Sequence, residues 1–394
     1  MTTILQIIPT LDSGGAERTT LEVARAIVAE GGKALVATRG GRLTDEVERA
    51  GGRVVLLPVD SKNPLTMTRN ARRLAQVIRD EKVDLVDVRS RAPAWSALMA
   101  TRRTGTPLVA TYHGAYSAKS PLKRLYNSGM VRADLVIANS EYTAAAIRAQ
   151  YDMRGRRLVV IPRGADVAAF DPAKIERARA EALARRWNVD MVNDRRLRLL
   201  LPARLTFWKG HIVTLDALAA LVSRQGSRHR ENLQVFFAGD EGRKDGGSAA
   251  LQREIDRRGV GTMVRIVGHC ADMPAAYALA DIVLCPSTLP EAFGRIAVEA
   301  AAMEKIAIGA DHGAQRETIV DGETGFLAPP GDAEGLADAI DAAASLSGTE
   351  RAGMGRAARR RVMALYSSQS MCDATLAAYR TLIKKQASVV EGRV

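Results

Sequence analysis

The fold is decided by residues 3–30, TILQIIPTLDSGGAERTTLEVARAIVAE. Residues 4–8 form an apolar run with the length of a buried strand, and residues 16–30 carry the apolar spacing of a helix. The pair Gly31-Gly32 ends that helix, because glycine is a poor helix former. The stretch therefore predicts a strand, a glycine-rich loop and a helix in succession.

Further apolar runs, separated by helical patterns, extend this series along the chain. They occupy residues 34–38, 54–57, 85–88, 108–111 and 135–138, and then residues 198–201, 233–238, 264–267, 282–285 and 307–308. Runs of Val, Ile and Leu that do not alternate with polar residues indicate parallel strands covered on both faces. The sequence predicts an α/β protein with two doubly wound, Rossmann-like domains facing each other across a cleft.

The domain prediction follows from a break in the series of strand-like apolar runs after residue 162. We expect an N-terminal domain over residues 1–190, a second domain over residues 195–365, and a C-terminal helix within residues 366–394 that crosses back to the N-terminal domain. A chain of 394 residues is too long for one comfortable hydrophobic core, which also favours two domains.

The composition limits the class of protein. Apolar residues make up 47% and charged residues 26% of the chain, as in ordinary soluble enzymes. The short first apolar run is not a signal peptide, and Cys270, Cys285 and Cys372 form no CxxC pair, so we expect a cytoplasmic protein without disulfides. The net charge of +13 favours partners that carry phosphate, on a nucleotide, a nucleic acid or a membrane.

One motif follows the first strand of each half of the chain. Gly14 and Gly15 would let the backbone approach a ligand and leave helix N–H groups pointing at it, although a plain tight turn explains them equally well. Arg204 and Lys209 lie at the end of the first strand of the second half, where they could bind a diphosphate. Two solvated basic residues are the alternative for this pair.

A third motif spans residues 290–299 and places Glu291 and Glu299 on either side of a helix start. We expect about 10 Å between the carboxylates, from a helical rise of roughly 1.5 Å per residue, which suits a ligand with hydroxyls at both ends. The N–H groups of Phe293, Gly294 and Arg295 at the helix start could hold phosphate oxygens. A surface helix with incidental glutamates is the alternative.

Taken in order, these motifs and the segment DGETGF at residues 321–326 resemble the retaining family-four glycosyltransferases, which have the GT-B fold. The resemblance covers nearly the whole chain. It implies that Gly15, Arg204 and Lys209 bind the diphosphate of a nucleotide-sugar donor, that Glu291 contacts the transferred sugar, and that Glu299 binds the ribose. The segment at residues 309–317 departs from the commoner GGxPE pattern, which leaves the donor's identity open.

The resemblance also implies a mechanism. His113, in a segment that matches a strand-end histidine of the family, would face the donor sugar, although a histidine satisfied by the backbone is the alternative. The diphosphate would leave with retention of configuration while Arg204, Lys209 and the helix start stabilise its charge. No Asp-x-Asp motif occurs, so we expect no metal and no cofactor.

The acceptor is expected on the N-terminal side and to be a glycan or a lipid-linked molecule, as in the synthesis of lipopolysaccharide or other envelope polysaccharides. Residues 117–132 mix basic and apolar side chains and could contact an anionic membrane surface, which would place the protein on the inner face of the cytoplasmic membrane. An ordinary solvated helix face is the alternative. The residues concerned are Lys119, Lys123, Arg124 and Arg132 with Tyr116, Leu122, Leu125 and Tyr126.

Other functions fit the sequence less well. A sugar-nucleotide epimerase of similar fold would turn over its donor without an acceptor, and it gives no reason for the pairing of Arg204 and Lys209 with Glu291 and Glu299. A nucleic-acid-binding protein would concentrate its basic residues, which here are spread widely. A hydrolase is disfavoured because no GxSxG elbow is present.

Overall fold

A computed structural model describes residues 1–12, 14–116, 120–224, 232–241 and 247–391. The chain divides into two compact units. The first comprises Met1–Arg163 with Ser368–Val394, and the second comprises Gly164–Ser367. Each unit contains one parallel sheet with helices on both faces, which confirms the two Rossmann-like domains predicted from the sequence.

The first unit contains a seven-stranded sheet in the order β3-β2-β1-β4-β5-β6-β7, in which every pairing is parallel. Its strands are β1 Thr3–Ile7, β2 Lys33–Thr38, β3 Arg53–Leu56, β4 Leu85–Val88, β5 Leu108–Tyr112, β6 Leu135–Ala138 and β7 Arg157–Val160. Its helices are α1 Gly15–Ala29, α2 Thr44–Arg49, α3 Pro64–Asp80, α4 Arg91–Thr104, α5 Pro121–Val131 and α6 Glu141–Gln150. The strand order reverses between β1 and β4, where such sheets bind ligands.

The second unit contains a six-stranded parallel sheet in the order β10-β9-β8-β11-β12-β13. Its strands are β8 Leu197–Leu201, β9 Leu233–Ala238, β10 Val264–Gly268, β11 Ile282–Cys285, β12 Ile306–Ala310 and β13 Gly325–Ala328. Its helices are α7 Arg177–Arg186, α8 His211–Ser223, α9 Gly247–Arg257, α10 Met273–Leu279, α11 Arg295–Ala302, α12 Gln315–Thr318, α13 Ala333–Ser345 and α14 Gly348–Leu365. The order reverses between β8 and β11.

The last helix, α15 Ser368–Glu391, belongs to the first unit although it follows the second in sequence. Its apolar residues, among them Leu376 and Leu382, join the same core cluster as Leu21 and Ile27 of α1. Burial of this stripe against α1 holds the last helix on the first unit, because apolar surface removed from water stabilises the packing.

The boundary between the units differs from the predicted one. Residues 164–190 were expected in the N-terminal domain, but they lie in the second unit. Trp187 stacks on Phe236 at a ring-centroid distance of 5.3 Å. The guanidinium of Arg179 pairs with the carboxylate of Asp272 at 2.6 Å. These contacts anchor residues 164–190 on the second unit, so the segment belongs to that unit and not to the first.

Strands β7 and β13 were not predicted. Both are short edge strands, β7 begins with Arg157 and is only partly buried, and β13 begins with Gly325, which weakens the strand signal of each. Among the described residues, no helix combines the length and the apolar character needed to cross a membrane.

Candidate functional site

The candidate site of the second unit lies at the carboxyl ends of β8 and β11. These two strands are paired, and the order of the sheet reverses between them. The loop after β8 carries Arg204 and Lys209, and the loop after β11 carries Glu291 and leads into α11. The topology therefore brings together two predicted motifs that lie about eighty residues apart in sequence.

Gly210 allows the two loops to touch. Its φ is +85°, and a Cβ atom there would lie 2.1 Å from the carbonyl oxygen of Pro286. The N–H of Thr288 also donates to the carbonyl of Trp208 at 2.8 Å. Both the left-handed backbone and the close approach require glycine at position 210.

Lys209 and Glu291 form an ion pair across this contact, with 2.9 Å between Nζ and Oε1. Each side chain is only 12% exposed. The hydroxyl of Ser287 donates to the same carboxylate oxygen, and the Lys209 ammonium lies 4.2 Å from the centroid of the Trp208 ring. The lysine predicted to bind phosphate and the glutamate predicted to bind sugar are thus direct partners.

The start of α11 has the geometry of an anion site. Gly294 caps the helix with φ +73°, and no side chain caps it. The backbone N–H groups of Phe293 and Gly294 donate to no acceptor among the described residues. The ring of Phe293 is buried against Tyr366, so only its main chain is available to a ligand. Positive helix-dipole charge and free donors favour a phosphate here.

Glu299 lies one helical turn beyond Arg295. Its Oε1 accepts from Nε of Arg295 at 3.2 Å, and its Oε2 accepts from the hydroxyl of Tyr277 at 3.0 Å. Its side chain is 15% exposed. Glu299 is therefore a fixed, half-buried carboxylate rather than a mobile surface glutamate.

Arg204 differs from Lys209 in its surroundings. Its side chain is exposed, and it forms no ion pair with any residue that the structure describes. A guanidinium without a protein partner keeps its donors for an anionic ligand. Lys209 is thus paired with a carboxylate, whereas Arg204 is exposed and has no ion-pair partner among the described residues.

In the first unit, Gly14 directly precedes α1, and Gly15 is the first residue of that helix. Gly14 has φ −76°, and a Cβ atom there would meet only the flexible end of Glu17. The fold therefore does not require a glycine at position 14. Among the described residues, no side chain caps α1, so donors at its start are available to a ligand.

His113 follows β5 directly. Both nitrogens of its ring are buried, and neither has a hydrogen-bond partner among the described residues. Burial, with the nearby charges of Arg163 and Arg89, holds the pKa of His113 well below its usual value of 6.5. The imidazole is therefore neutral at physiological pH, and the alternative of a histidine satisfied by the backbone finds no support among the described residues.

Two family models cover most of the chain. The model described as Glycosyltransferase Family 4 matches residues 13–169, and that described as Glycosyl transferases group 1 matches residues 190–361. A D-inositol 3-phosphate glycosyltransferase of Nocardiopsis dassonvillei is 30% identical over 345 residues, which cover 80% of this chain and 78% of that protein. This chain belongs to the family-four glycosyltransferases.

Solved structures agree with this assignment. The family fold is shared with a glycosyltransferase from Rickettsia africae, with a TM-score of 0.88, 33% identity, and coverage of 97% of this chain and 99% of that one. Anabaena HepE, solved in complex with UDP, has a TM-score of 0.81 at 23% identity, with 97% of this chain and 100% of that one covered.

The match to some curated relatives is shorter. A D-inositol 3-phosphate glycosyltransferase of Salinispora tropica is 30% identical over 243 residues, 58% of this chain and 50% of that protein. This family-four chain therefore spans about half the length of that relative.

One residue of the family-four site was missed from the sequence. Gln315 is fully buried, its amide donates to the carbonyl of Cys285 at 2.8 Å, and its carbonyl accepts from the N–H of Ala310. It thus ties the carboxyl ends of β11 and β12 together beneath Gly294. A glutamine on a short helix gives no sequence signal of this kind.

A buried polar network in the first unit was also missed. Asp87 accepts from Nη1 of Arg89 at 2.8 Å, from Thr111 at 2.8 Å and from the hydroxyl of Tyr379 at 2.6 Å. Arg89 also donates to Gln6 at 2.9 Å. Tyr379 comes from α15, so the network ties the last helix to the centre of the sheet. Gln6, Thr111 and Tyr379 lie far from Asp87 and Arg89 in sequence, so the network forms no motif.

Proposed function

We infer that this chain is a retaining glycosyltransferase, which moves a hexosyl unit from a nucleoside-diphosphate sugar to a glycan or lipid-linked acceptor. The observation that carries the proposal is the Lys209–Glu291 ion pair beside the uncapped start of α11, at the point where the strand order reverses. A site with a cation, free N–H donors and a fixed carboxylate suits a donor that carries both phosphate and sugar hydroxyls.

The donor roles follow from the chemistry of each group. Arg204, Lys209 and the N–H groups of residues 293–295 would bind the diphosphate, Glu291 would accept hydrogen bonds from the sugar, and Glu299 would bind the ribose. Binding of the donor would replace part of the Lys209–Glu291 pair with new partners for each charge. The complex of Anabaena HepE with UDP supports a nucleotide ligand for this fold.

The chemical step is departure of the diphosphate. As the bond from the anomeric carbon to phosphate oxygen breaks, negative charge grows on that oxygen, and Lys209, Arg204 and the dipole of α11 stabilise it. The departing phosphate would accept the proton of the acceptor hydroxyl, which then bonds to the same face of the sugar. This route needs no separate base, metal or cofactor.

Three further residues would have the roles that the family resemblance gives them. Gly14 and Gly15 would let the diphosphate approach the start of α1. A neutral His113 would present a hydrogen-bond acceptor or donor to the donor sugar, since both its nitrogens lack partners among the described residues. The proposed roles of Gly14, Gly15 and His113 do not depend on the geometry of the second unit.

For the acceptor, we propose a chemical class. We favour an envelope glycan or a lipid-linked intermediate, as in lipopolysaccharide synthesis, and a cytoplasmic enzyme that binds the inner membrane surface. The curated relatives named D-inositol 3-phosphate glycosyltransferase support a second candidate, a small polyol phosphate.

Membrane contact has a specific surface in α5. Leu122 is 81% exposed and Leu125 is 55% exposed, and Lys123 and Arg124 beside them are exposed as well. Lys119 and the rest of residues 117–119 lie outside the described residues. Exposed leucines flanked by cations suit an anionic lipid surface.

Flotation with anionic vesicles tests this surface. We expect the wild type to float and the double variant Lys123→Glu/Arg124→Glu to stay at the bottom of the gradient. The variant Arg102→Glu/Arg103→Glu, which reverses two exposed charges on α4, is the matched control and should float. Equal flotation of both variants would remove α5 from the proposal.

The enzymatic proposal is tested with a panel of UDP, GDP and ADP and their sugar conjugates. We expect one nucleotide to raise the melting temperature, and its conjugate to be consumed in the presence of EDTA only when an acceptor is supplied. The anomeric proton signal of the product should show retention. Consumption of the donor without acceptor would favour the epimerase.

A further inference from the structure

Glu299 is held by two donors, one on each carboxylate oxygen. Arg295 binds Oε1 from the preceding helical turn, and Tyr277 binds Oε2 from α10. Without such donors its orientation would be poorly defined, because the last torsion of a glutamate side chain is broad. The geometry of Glu299 is therefore set by these two contacts.

Tyr277 is the more rigid of the two. It is fully buried, and its ring packs edge-on against Phe170 with 5.7 Å between centroids. The helix that carries it is capped by Asp272, whose carboxylate is itself held by Arg179. Arg295, in contrast, lies at the half-exposed start of its own helix. Tyr277 thus connects Glu299 to the core of the second unit.

The hydroxyl of Tyr277 acts as a donor at all physiological pH values. Burial and the neighbouring Glu299 carboxylate raise the pKa of Tyr277 well above its usual value of 10.0. The phenol therefore keeps its proton, and its hydrogen bond to Glu299 Oε2 persists.

The arrangement leaves one acceptor direction open on each oxygen of Glu299. A carboxylate oxygen accepts at two lone-pair positions, and each oxygen here uses one for a protein donor. The two remaining positions could accept from two hydroxyls on neighbouring carbons, which a ribose has and a 2′-deoxyribose lacks. A carboxylate turned away from this orientation could not accept from both hydroxyls.

We propose that Tyr277 is a positioning residue which, by fixing Glu299, makes the site prefer a ribonucleotide over its 2′-deoxy counterpart. The inference rests on the proposed function, because it takes the ribose of a nucleotide as the ligand of Glu299. It goes beyond that function because it names Tyr277 as the residue that determines the preference for ribose over 2′-deoxyribose.

The test is the ratio of dissociation constants of the 2′-deoxy and the ribo form of whichever nucleoside diphosphate binds the wild type best. We expect a wild-type ratio of about tenfold, since a hydrogen bond to a charged group is at stake. In Tyr277→Phe the ratio should fall to within about twofold of unity. In Glu299→Gln and in the double variant it should fall no further than in Tyr277→Phe, because the two residues act as one unit.

Tyr366→Phe is the matched control. It removes a buried phenol of the same unit that donates to the carbonyl of Glu317 at 2.7 Å, and it should keep the wild-type ratio. If Tyr277→Phe does not fold, Phe170→Leu loosens the Tyr277 ring without removing the hydroxyl and should lower the ratio.

The outcomes distinguish a failure of the proposed function from a failure of the role proposed for Tyr277. A wild type that binds no nucleotide contradicts the proposed function itself. A wild type that binds nucleotide, with an unchanged ratio in Tyr277→Phe or in Phe170→Leu, overturns the role of Tyr277 and leaves the donor site standing.

Discussion

Replacement of Lys209 with alanine is expected to abolish nucleotide binding and to lower the free energy of unfolding by about 3 kcal/mol. The lysine is the partner of Glu291 at 2.9 Å, and both side chains are largely buried. Removing it leaves the glutamate with Ser287 alone, and an uncompensated, desolvated carboxylate destabilises the protein. Chemical denaturation measures the stability, and calorimetry measures the binding.

Arg204→Ala is the control for this experiment. Its guanidinium is exposed and forms no ion pair within the described part of the chain, so its loss should reduce nucleotide binding without a measurable change in stability. The pair of variants separates ligand binding from structure. A Lys209→Ala protein that binds nucleotide as tightly as the wild type would contradict the assignment of the diphosphate site.

Asp87→Asn is expected to destabilise the first unit by about 3–5 kcal/mol. Three donors, from Arg89, Thr111 and Tyr379, converge on the two oxygens of Asp87. An asparagine offers one acceptor oxygen and an amide that itself donates, so at least one donor would face another donor in a buried site. The Arg89 charge would also lose its counter-ion. Thermal and urea unfolding measure the effect.

The exposed pair of Arg39 and Asp60 gives a matched control. It has a similar N–O distance of 2.9 Å in the same unit, and we expect Asp60→Asn to cost less than about 1 kcal/mol. Asp87 and its partners Arg89, Thr111 and Tyr379 are not among the residues proposed to bind the donor, so Asp87→Asn should leave the affinity for nucleoside diphosphate unchanged in the folded protein. Equal stability of the two variants would show that the buried network contributes little.

Most of the architecture is predictable from the sequence, because strand and helix patterns are local features of the chain. Interior strands such as β6 and β11 have the predicted bounds, since an uninterrupted apolar run is the direct consequence of burial on both faces. Edge strands β7 and β13 are short and partly exposed, and they begin with Arg157 and Gly325, so each gives a weaker strand signal. The unit boundary was misplaced because the contacts of Trp187 and Arg179 with the second sheet involve residues far along the chain.

The candidate site was predictable to the extent that its residues lie in short motifs. Arg204, Lys209, Glu291 and Glu299 were found in this way, and the structure brings Lys209 and Glu291 into contact. Their supporting residues were not found. Tyr277 and Gln315 act through hydrogen bonds to residues distant in sequence, and a lone buried tyrosine or glutamine is typical of any core.

The central claim is that the second unit binds a nucleoside diphosphate through Arg204 and Lys209, and thermal denaturation with saturating UDP, GDP or ADP tests it most directly. A nucleotide at a hundred times its dissociation constant should stabilise the wild type by about 2.7 kcal/mol. We predict this shift for one nucleotide with the wild type and its loss in Arg204→Ala. No shift with any of the three, or an equal shift in the variant, would contradict the account.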